Sequence, residues 1–485
     1  MIKHEKFNLY IYSRKKEISE LIEFHKNSKA GFLYLRGRRR VGKSWILQKL
    51  TEAIPDIFYF SGKLDSNTRE TRTDFITNWS YFASSPTLLQ INPNLLSWER
   101  IFLEMLSDQK KHKKKATLVF DEIQWLAKTG SGFIGALKNA WVSFEQNNAF
   151  NIIICGSSNK FFNDHVDGEE KTLRGLATRS PLWIEPITPK EIAKKAFCGW
   201  NIHEVTVLYM LTGGIPYYLD KIDPKLGFIN AINETFFLQT SIFQNEAEEI
   251  LSIEFNKTGQ QSVIEILSEI GIYGKSQSNL RKHLKISSSN LSELVDKLMT
   301  YQLLFIETNE RITKGKEINF FMKDFFLNFY FSIYKDFLSE IKRNKTKLIF
   351  SHIISGKGYY IENFTGRAFE NFVRYCIEKA PISSALYKKL KISDYNFLLY
   401  SFHSKESQID LVLNHNKDRL VRIIECKWAK EDKVFIDEIL SKSFPLEPIQ
   451  ARLNVLVVGF KASTSFISLC KKNKIILIEL KDLFF

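Results

Sequence analysis

The chain has 485 residues, of which 44% are hydrophobic and 25% are charged. This balance excludes an intrinsically disordered chain, and 22 Gly with 11 Pro exclude collagen-like and low-complexity classes. The length predicts about three domains. Lys and Arg number 69 against 54 Asp and Glu, a formal charge of +15 that favours a polyanionic partner such as a nucleic acid or a phosphate compound.

Cysteine usage and hydropathy indicate the cellular compartment. The five cysteines form no CxxC pair, and none lies beside a His at metal-ligand spacing, so neither a disulfide framework nor a structural zinc site is expected. No apolar h-region follows Met1, and no run of 18 apolar residues occurs. We therefore expect a cytoplasmic protein without a signal peptide and without a membrane partner.

The first part of the chain predicts a parallel α/β sheet. Residues 1–30 read as a polar helix that leads into an apolar run of strand length, and a glycine-rich turn and a helix follow this run. Further apolar runs are separated by helical stretches, which is typical of a parallel sheet covered on both faces. The predicted strands are 31–36, 116–120, 151–155 and 181–184. Residues 190–255 read as helical, with a Gly-Gly-Ile-Pro break at 213–216.

The second half changes character twice. Three short amphipathic helices (262–270, 279–284 and 290–298) and two β-rich runs (303–308 and 317–321) have the layout of a winged helix. A small α/β region follows, with strands predicted at 397–402, 409–413, 420–426, 453–458 and 475–480. The predicted domains are a core at 1–190, a helical lid at 191–258, a winged helix at 259–334, a linker at 335–360 and a last domain at 361–485. The lysine-rich run 110–115 is predicted to be a charged surface loop.

The glycine-rich turn matches the phosphate-binding pattern GxxxxGK[ST] in full, and its residues are Gly37, Arg38, Arg39, Arg40, Val41, Gly42, Lys43 and Ser44. Glycines leave room for backbone N–H groups to wrap a phosphate chain, and the helix that follows directs its positive end at the phosphates. We expect Lys43 to contact the β- and γ-phosphate oxygens and the Ser44 hydroxyl to bind Mg²⁺.

Two further strand ends carry polar residues. Asp121 and Glu122 follow the run 116–120, and the carboxyl ends of adjacent parallel strands face the same crevice. Asp121 is therefore expected to reach the Mg²⁺ held by Ser44, and Glu122 to polarise an attacking water. Ser157, Ser158 and Asn159 follow the next strand and are candidates to contact the γ-phosphate or the water. The alternatives are a solvated acidic pair and a polar turn without a role.

The strings GRRRVGKS, LVFDEIQWL, IIICGSS and TGGIPYYL together resemble the archaeal-type AAA+ ATPases, a P-loop family that also occurs in bacteria. The resemblance covers roughly residues 8–330. It implies ATP and Mg²⁺ as ligands, a nucleotide loop at Gly37–Ser44 with Trp45 next to it, Asp121 as the Mg²⁺ ligand, Glu122 as the catalytic acid and Ser157–Asn159 as the sensor. A homo-oligomer is a possible assembly.

One position departs from this family. The family often has Leu-Tyr-Gly-Arg before the fourth strand, and its Arg reads the γ-phosphate. Here the string is Leu173-Arg174-Gly175-Leu176, so that Leu176 stands where the Arg is expected. Arg174 and Arg179 are the candidate substitutes, and simple surface charge is the alternative for both.

A second acidic constellation lies near the C-terminus. Asp410 is on one predicted strand, and Glu425 and Lys427 share one face of the next because side chains alternate along a strand. Two carboxylates and a lysine on one face suit metal-assisted phosphodiester cleavage. Glu370 on an upstream helix is a further candidate. These residues resemble the PD-(D/E)xK nuclease core, a restriction-endonuclease-like α/β fold; the alternative is a structural or degenerate acid–lysine pair.

The predicted recognition helix of the winged helix carries both signs of charge. It includes Glu293 and Asp296 beside polar residues and Lys297, whereas DNA-reading helices are usually more basic. Lys275, Arg281, Lys282 and Lys285 on the preceding segment are candidates for phosphate contacts. DNA binding and protein packing both remain open for this region.

The sequence favours an ATP-hydrolysing AAA+ enzyme in which hydrolysis changes the placement of the domains on nucleic acid, with DNA as the expected partner. The alternative is a slow nucleotide-dependent signalling switch whose C-terminal domain binds without cleaving. A simple nucleotide kinase is disfavoured because more than 250 residues lie beyond the phosphate-binding sheet and no kinase lid is recognisable.

Overall fold

The computed structural model describes residues 14–64, 66–91, 96–112, 115–128, 130–167, 171–255, 257–306, 319–343, 359–403, 407–415, 419–445 and 451–485. The chain divides into two compact units, Met1–Pro186 and Ile187–Phe485, and each unit is described separately.

The first unit is built on a parallel sheet of five strands. The strands are β1 (Phe32–Arg36), β2 (Ile57–Ser61), β3 (Ala116–Asp121), β4 (Phe150–Cys155) and β5 (Leu182–Trp183). Their order is β2-β3-β4-β1-β5, and every neighbouring pair is parallel. The helices are Lys15–Lys26, Lys43–Ala53, Thr68–Phe82, Trp98–His112, Ile123–Leu126, Phe133–Gln146 and Asn159–His165, with a 3₁₀ turn at Leu88–Gln90.

The sheet is buried on both faces, as the continuous apolar runs predict. Alternate residues of β1 enter opposite cores: Phe32 and Tyr34 join one hydrophobic cluster, and Leu33 and Leu35 join the other. The predicted parallel α/β sheet is therefore confirmed. Two details differ from the sequence-based prediction: β2 was not predicted, and the helix Trp98–His112 continues into the lysine-rich run that was predicted to be a loop.

The predicted adjacency of the two site strands is wrong. β4 lies between β1 and β3. The strand that ends at Asp121, β3, is therefore not a direct neighbour of β1, the strand that precedes the phosphate loop. The two strand ends still lie on one edge of the sheet because all the strands are parallel. The strand order rests on pairing between distant segments, and local sequence patterns do not specify it.

The second unit begins with a helical region. Its helices are Pro189–Glu191, Ile202–Thr212, Pro216–Leu219, Phe228–Phe236 and Phe243–Glu254, with a π-helical turn at Ile192–Ala196 and a 3₁₀ turn at Pro224–Leu226. The predicted Gly-Gly-Ile-Pro break ends the helix Ile202–Thr212. Gly214 has a φ of 69°, and a Cβ there would lie 2.3 Å from the Ile187 carbonyl oxygen, so this turn requires glycine.

Three helices and a small antiparallel sheet come next. The helices are Lys257–Ile270, Gln277–His283 and Ser288–Thr300, and the strands are β6 (Lys275–Ser276), β7 (Leu304–Ile306) and β8 (Asn319–Met322) in the order β6-β8-β7. These elements include the three predicted helices and both predicted β-runs, and β6 is an addition. Residues 307–318 between β7 and β8 lie outside the described chain.

A mixed sheet of five strands forms the last part of the second unit. Its strands are β9 (Phe397–His403), β10 (Gln408–His415), β11 (Leu420–Lys427), β12 (Ala451–Val458) and β13 (Ile475–Glu479), in the order β13-β12-β11-β10-β9. The pairs among β9, β10 and β11 are antiparallel, and the other two pairs are parallel. The helices are Tyr359–Lys379, Ala385–Leu390, Val434–Ser441, Thr464–Lys472 and Leu480–Leu483.

Helical structure extends into both described ends of the predicted linker 335–360. The helix Phe325–Ser332 is followed by a 3₁₀ turn at Tyr334–Phe337 and the helix Leu338–Lys342, and the next helix begins at Tyr359. The intervening positions 344–358 are not among the described residues. Within this unit, the Tyr209 ring packs against Phe372 and Tyr375, with ring centroids 5.5 and 5.2 Å apart, so the helical region packs against the helix Tyr359–Lys379.

In the part of the chain that the structure describes, no helix is both long and apolar enough to cross a membrane.

Candidate nucleotide site and C-terminal acidic cluster

The phosphate loop connects β1 directly to the helix Lys43–Ala53. Gly37 and Gly42 have φ angles of 149° and 98°, which L side chains rarely adopt. A Cβ at Gly37 would lie 2.5 Å from the Ile184 carbonyl oxygen, so the backbone passes β5 too closely for any other residue. The helix begins at Lys43, and its first N–H groups are oriented towards the loop. This is the local geometry that a phosphate chain requires.

Lys43 is buried and held by the loop itself. Its ammonium donates to the carbonyl oxygens of Gly37 at 2.7 Å and Arg38 at 3.0 Å. Burial lowers the pKa of Lys43, while the charges of Glu122 and Asp121 act in the opposite direction. Both acids are therefore close enough to the ammonium for their charges to matter, and these three predicted site residues come together.

Asp121 ends β3 as a buried carboxylate, and the Cys155 thiol at the end of β4 is among the groups hydrogen-bonded to it. Asp121 is 1% exposed and accepts hydrogen bonds from the Glu122 backbone N–H at 2.9 Å and from the Tyr59 hydroxyl at 2.7 Å. Glu122 has φ and ψ of 47°, a left-handed conformation that is uncommon outside glycine. The Gln124 side-chain amide donates to the Glu122 carboxylate. The turn after β3 thus gives the two adjacent acids different surroundings.

The three sensor candidates at the end of β4 differ in their hydrogen bonds and in their positions relative to the next helix. Among the described residues, the Ser157 hydroxyl is buried without a hydrogen-bond partner. Ser158 is the N-cap of the helix Asn159–His165, and its hydroxyl accepts from the Phe161 backbone N–H at 3.2 Å. Asn159 is the first residue of that helix. Of the three candidates, Ser157 is therefore the one whose hydroxyl has no hydrogen bond within the described residues and is available to a ligand.

The other predicted nucleotide contacts occupy the loop and its surroundings. Arg38, Arg39 and Arg40 are half-buried along the loop, and Trp45 is half-buried in the first turn of the helix. Arg174 and Arg179 are both exposed, and the Arg179 guanidinium lies 6.0 Å from the Phe24 ring centroid. These placements assign no γ-phosphate contact to either arginine.

Two residues at this site were missed by the sequence-based prediction. Tyr59 lies on β2, the strand that was not predicted, and it contacts Asp121 across 62 residues of sequence. Arg14 is 3% exposed and donates to the Val41 carbonyl oxygen of the phosphate loop at 3.0 Å. The apolar run Ile57–Ser61 was a signal for β2, but no local pattern indicated either side-chain contact.

The C-terminal acids also come together. β10 and β11 pair in an antiparallel register with Leu411 opposite Ile424, which sets Asp410 opposite Glu425. Asp410 accepts from the Cys426 backbone N–H at 2.8 Å. Glu425 is 1% exposed, and its carboxylate oxygens lie 3.8 Å from the Lys427 ammonium and 3.4 Å from the Lys442 ammonium. Lys442, which follows the helix Val434–Ser441, was not predicted.

The pKa values of both acids, the half-buried Asp410 and the buried Glu425, are raised. Burial raises the pKa of Asp410, although the Cys426 N–H and the Lys427 charge act against this effect. Burial and the neighbouring Asp410 raise the pKa of Glu425 to about 7, and Lys442 and Lys427 oppose this rise. The outer charges are also paired: Lys427 lies 2.5 Å from a Glu438 carboxylate oxygen, and Glu370 pairs with Arg367.

The side chains at each candidate site determine whether that site is suited to bind a metal ion. Within the described residues, no group of three or more His, Cys, Asp and Glu side chains is placed to hold a metal ion. Mg²⁺ commonly takes only one or two carboxylates from a protein and completes its shell with phosphates and water. Asp121 with the Ser44 hydroxyl fits that requirement beside a phosphate loop, and the pair Asp410 and Glu425 offers two carboxylates on one sheet face.

The basic candidates of the three-helix region differ in their ion pairs and in their exposure to solvent. Lys275 lies 3.2 Å from a Glu269 carboxylate oxygen, and Lys297 pairs with Glu293. Arg281, Lys282 and Lys285 are exposed. The exposed basic side chains thus lie mainly on the helix Gln277–His283 and the turn after it, and Lys297, which is exposed on the helix Ser288–Thr300, has Glu293 as an ion-pair partner.

Comparisons with known proteins identify two matching regions. Residues 11–222 match a family described as an ATPase domain predominantly from Archaea. Residues 329–439 match a family described as archaeal and bacterial proteins of unknown function. The second match includes Glu370, Asp410, Glu425 and Lys427, and its description assigns them no activity.

Similar chains are found among archaeal proteins. The uncharacterized protein MJECL04 of Methanocaldococcus jannaschii is 25% identical over 421 residues, which cover 86% of this chain and 87% of that protein. The Walker-type ATPase PABY2304 of Pyrococcus abyssi has a TM-score of 0.50 at 19% identity, over 66% of this chain and 95% of that chain. The ORC2 protein of Aeropyrum pernix has a TM-score of 0.47 at 9% identity, over 68% of this chain and 94% of that chain.

The likeness to the Pyrococcus abyssi protein is a likeness of fold, and the family match concerns the part of the chain that holds the phosphate loop and the β3 acids. Together these findings support an archaeal-type P-loop ATPase domain at residues 11–222.

Proposed function

We propose that this chain binds MgATP at the phosphate loop and hydrolyses it, and that its second unit couples this reaction to nucleic acid. The observation that carries the proposal is that Lys43, at the start of the helix after β1, and Asp121 and Glu122, at the end of β3, lie at the same edge of one parallel sheet. The family match at residues 11–222 supports it.

Each group has a distinct role in the proposed reaction. Nucleotide phosphates take the place of the loop carbonyls as partners of Lys43. Ser44 and Asp121 would hold Mg²⁺, which would neutralise phosphate charge. Glu122 would accept a hydrogen bond from the attacking water and take its proton as the water oxygen bonds to the γ-phosphorus and the bond from the γ-phosphorus to the bridging oxygen breaks. The products would be ADP and inorganic phosphate, and Ser157 would contact the γ-phosphate or the water.

Coupling to nucleic acid rests on charge and on the arrangement of the second unit. The three helices and the sheet β6-β8-β7 are consistent with a winged helix, whose exposed Arg281, Lys282 and Lys285 would contact phosphates without reading sequence. The strands β9–β13 are consistent with a nuclease-like core, in which Asp410 and Glu425 would hold Mg²⁺ and Lys427 would orient the nucleophile.

A specific observation favours a second candidate, a nucleotide-dependent switch whose C-terminal region binds without cleaving. Lys427 is closer to Glu438 than to Glu425, and Lys442 also lies against Glu425. These ion pairs neutralise the acidic cluster from within the chain. Removing a buried carboxylate from such a cluster would leave its lysine partners unpaired, so the acids also have a structural role.

One assay tests both candidates. Phosphate release and DNA integrity are measured together for the wild type, Glu122→Gln and Asp410→Asn, with MgATP and duplex DNA. Glu122→Gln is expected to lower phosphate release by roughly 10²–10⁴-fold while nucleotide binding persists, because it removes the proton acceptor and keeps the side-chain shape. Undiminished release would contradict the hydrolytic role of Glu122.

The DNA lane decides between the two candidates. Cleavage by the wild type that is lost in Asp410→Asn supports the nuclease-like site. Intact DNA at every Mg²⁺ concentration, with phosphate release that still depends on Glu122, supports the non-cleaving switch.

A further inference from the structure

In the described structure, the hydroxyl of Tyr59 on β2 donates a hydrogen bond to the Asp121 carboxylate. β2 pairs in parallel with β3, and the register sets Tyr59 beside Val119 and Ser61 beside Asp121. The Tyr59 hydroxyl donates to Asp121 Oδ2 at 2.7 Å. This contact joins two strands at the sheet edge where the phosphate loop also lies.

The Tyr59 hydroxyl is one of three groups that hydrogen-bond to the Asp121 carboxylate in the described structure, together with the Glu122 backbone N–H and the Cys155 thiol. The other oxygen, Oδ1, accepts from the Glu122 backbone N–H at 2.9 Å, so both oxygens have a donor and the plane of the group is defined. Asp121 is 1% exposed, and water therefore has little access to compete for these bonds. A phenol is protonated at neutral pH, so the Tyr59 hydroxyl is able to donate this hydrogen bond.

We propose that Tyr59 is a positioning residue that fixes Asp121 for the Mg²⁺ of the bound nucleotide and so sets the Mg²⁺ affinity of the site. The proposal rests on the proposed function, because it takes Asp121 as the metal-binding carboxylate. Groups that hydrogen-bond to a metal ligand orient it, and losing one typically weakens metal binding by about 10–100-fold. Without the Tyr59 hydroxyl, Asp121 Oδ2 loses this donor, and the orientation of the carboxylate is less well defined when the metal binds.

The test compares Tyr59→Phe with a matched variant. Tyr34→Phe also removes a buried hydroxyl, from the strand β1 of the same sheet, but the Tyr34 hydroxyl donates to the Leu173 carbonyl oxygen and not to a carboxylate. Binding of a fluorescent ADP analogue is titrated with Mg²⁺, and again in EDTA. Thermal unfolding of each variant confirms that the fold is retained.

Tyr59→Phe is expected to raise the Mg²⁺ concentration for half-maximal enhancement of ADP binding by about 10–100-fold. ADP binding in EDTA should stay at the wild-type value, and Tyr34→Phe should match the wild type in both titrations. Replacing Tyr59 with 4-aminophenylalanine, which keeps a donor at the same place, should restore the Mg²⁺ dependence. In an Asp121→Asn background, Tyr59→Phe should have no additional effect.

The outcomes separate this inference from the function on which it rests. A wild-type Mg²⁺ dependence in Tyr59→Phe, beside a weakened one in Asp121→Asn, would overturn the role of Tyr59 and leave the proposed function in place. An equal loss in Tyr34→Phe would also overturn it, because a general packing effect would then be sufficient. No change in Asp121→Asn would contradict the proposed Mg²⁺ site itself.

Discussion

Both candidate sites contain charged side chains that are largely shielded from solvent. Lys43 and Asp121 are almost fully buried near the phosphate loop, and on the C-terminal sheet Glu425 is buried and Asp410 is half-buried. Each has partners from the chain itself, because an isolated buried charge would be costly. At both sites the partners include groups that a ligand is able to displace.

Glu425 makes stability depend on pH. Its pKa is about 7 in the folded chain, against 4.5 for an exposed glutamate. Between these values the folded state binds the proton more tightly than the unfolded state does, so the free energy of unfolding falls as pH rises and levels off above pH 7. In Glu425→Gln this part of the pH dependence should disappear, a difference of about 1–3 kcal/mol.

Urea-induced unfolding in EDTA at several values between pH 5 and pH 8 measures this difference. Glu234→Gln, a change at an exposed helix position, is the matched control and should follow the wild type throughout. Parallel pH profiles for the wild type and Glu425→Gln would contradict the assignment of a raised pKa to Glu425.

At the scale of elements, two adjacent serines at the end of β4 have different tasks. Ser158 caps the helix Asn159–His165, so Ser158→Ala should lower the free energy of unfolding by about 1 kcal/mol and change turnover little. Ser157→Ala should lower turnover with little loss of stability, since its hydroxyl has no partner among the described residues.

Thermal unfolding and steady-state phosphate release, measured on both serine variants, separate the two effects. The assignment fails if Ser158→Ala is the variant that loses turnover at unchanged stability.

Local patterns predicted most elements but not their pairing. The apolar runs located β1, β3, β4 and all five C-terminal strands within a few residues. β2 has a comparable apolar run, yet no polar motif follows it, and it was not singled out. Side-chain contacts between distant segments, such as Tyr59 with Asp121, arise from the strand order, and no periodicity within a short window contains that information.

The same limit applies to the C-terminal cluster. The sequence predicted Asp410, Glu425 and Lys427 because they lie on two strands joined by a hairpin. Glu438 and Lys442 reach the cluster from a separate helix and the residue after it, so only the tertiary packing reveals that Glu438 pairs with Lys427 and that Lys442 lies against Glu425. The sequence motif predicted the acids and Lys427, but it contained no signal for these ion pairs.

At the scale of the whole molecule, a parallel sheet with a phosphate loop occupies the first unit, and the second unit combines a helical region, a three-helix region with a small sheet, and a mixed sheet with an acidic cluster. The packing of Tyr209 against Phe372 and Tyr375 joins the helical region of the second unit to the helix Tyr359–Lys379.

The most direct measurement is equilibrium binding of a fluorescent ATP analogue with Mg²⁺ to the wild type, Lys43→Ala and Lys49→Ala. Lys49 lies on the same helix as Lys43 and pairs with Glu52, so it controls for the loss of a lysine from this element. The account predicts that Lys43→Ala weakens binding by roughly 10–100-fold, the effect of one lost charged hydrogen bond, and that Lys49→Ala binds as the wild type does. Wild-type affinity in Lys43→Ala would contradict it.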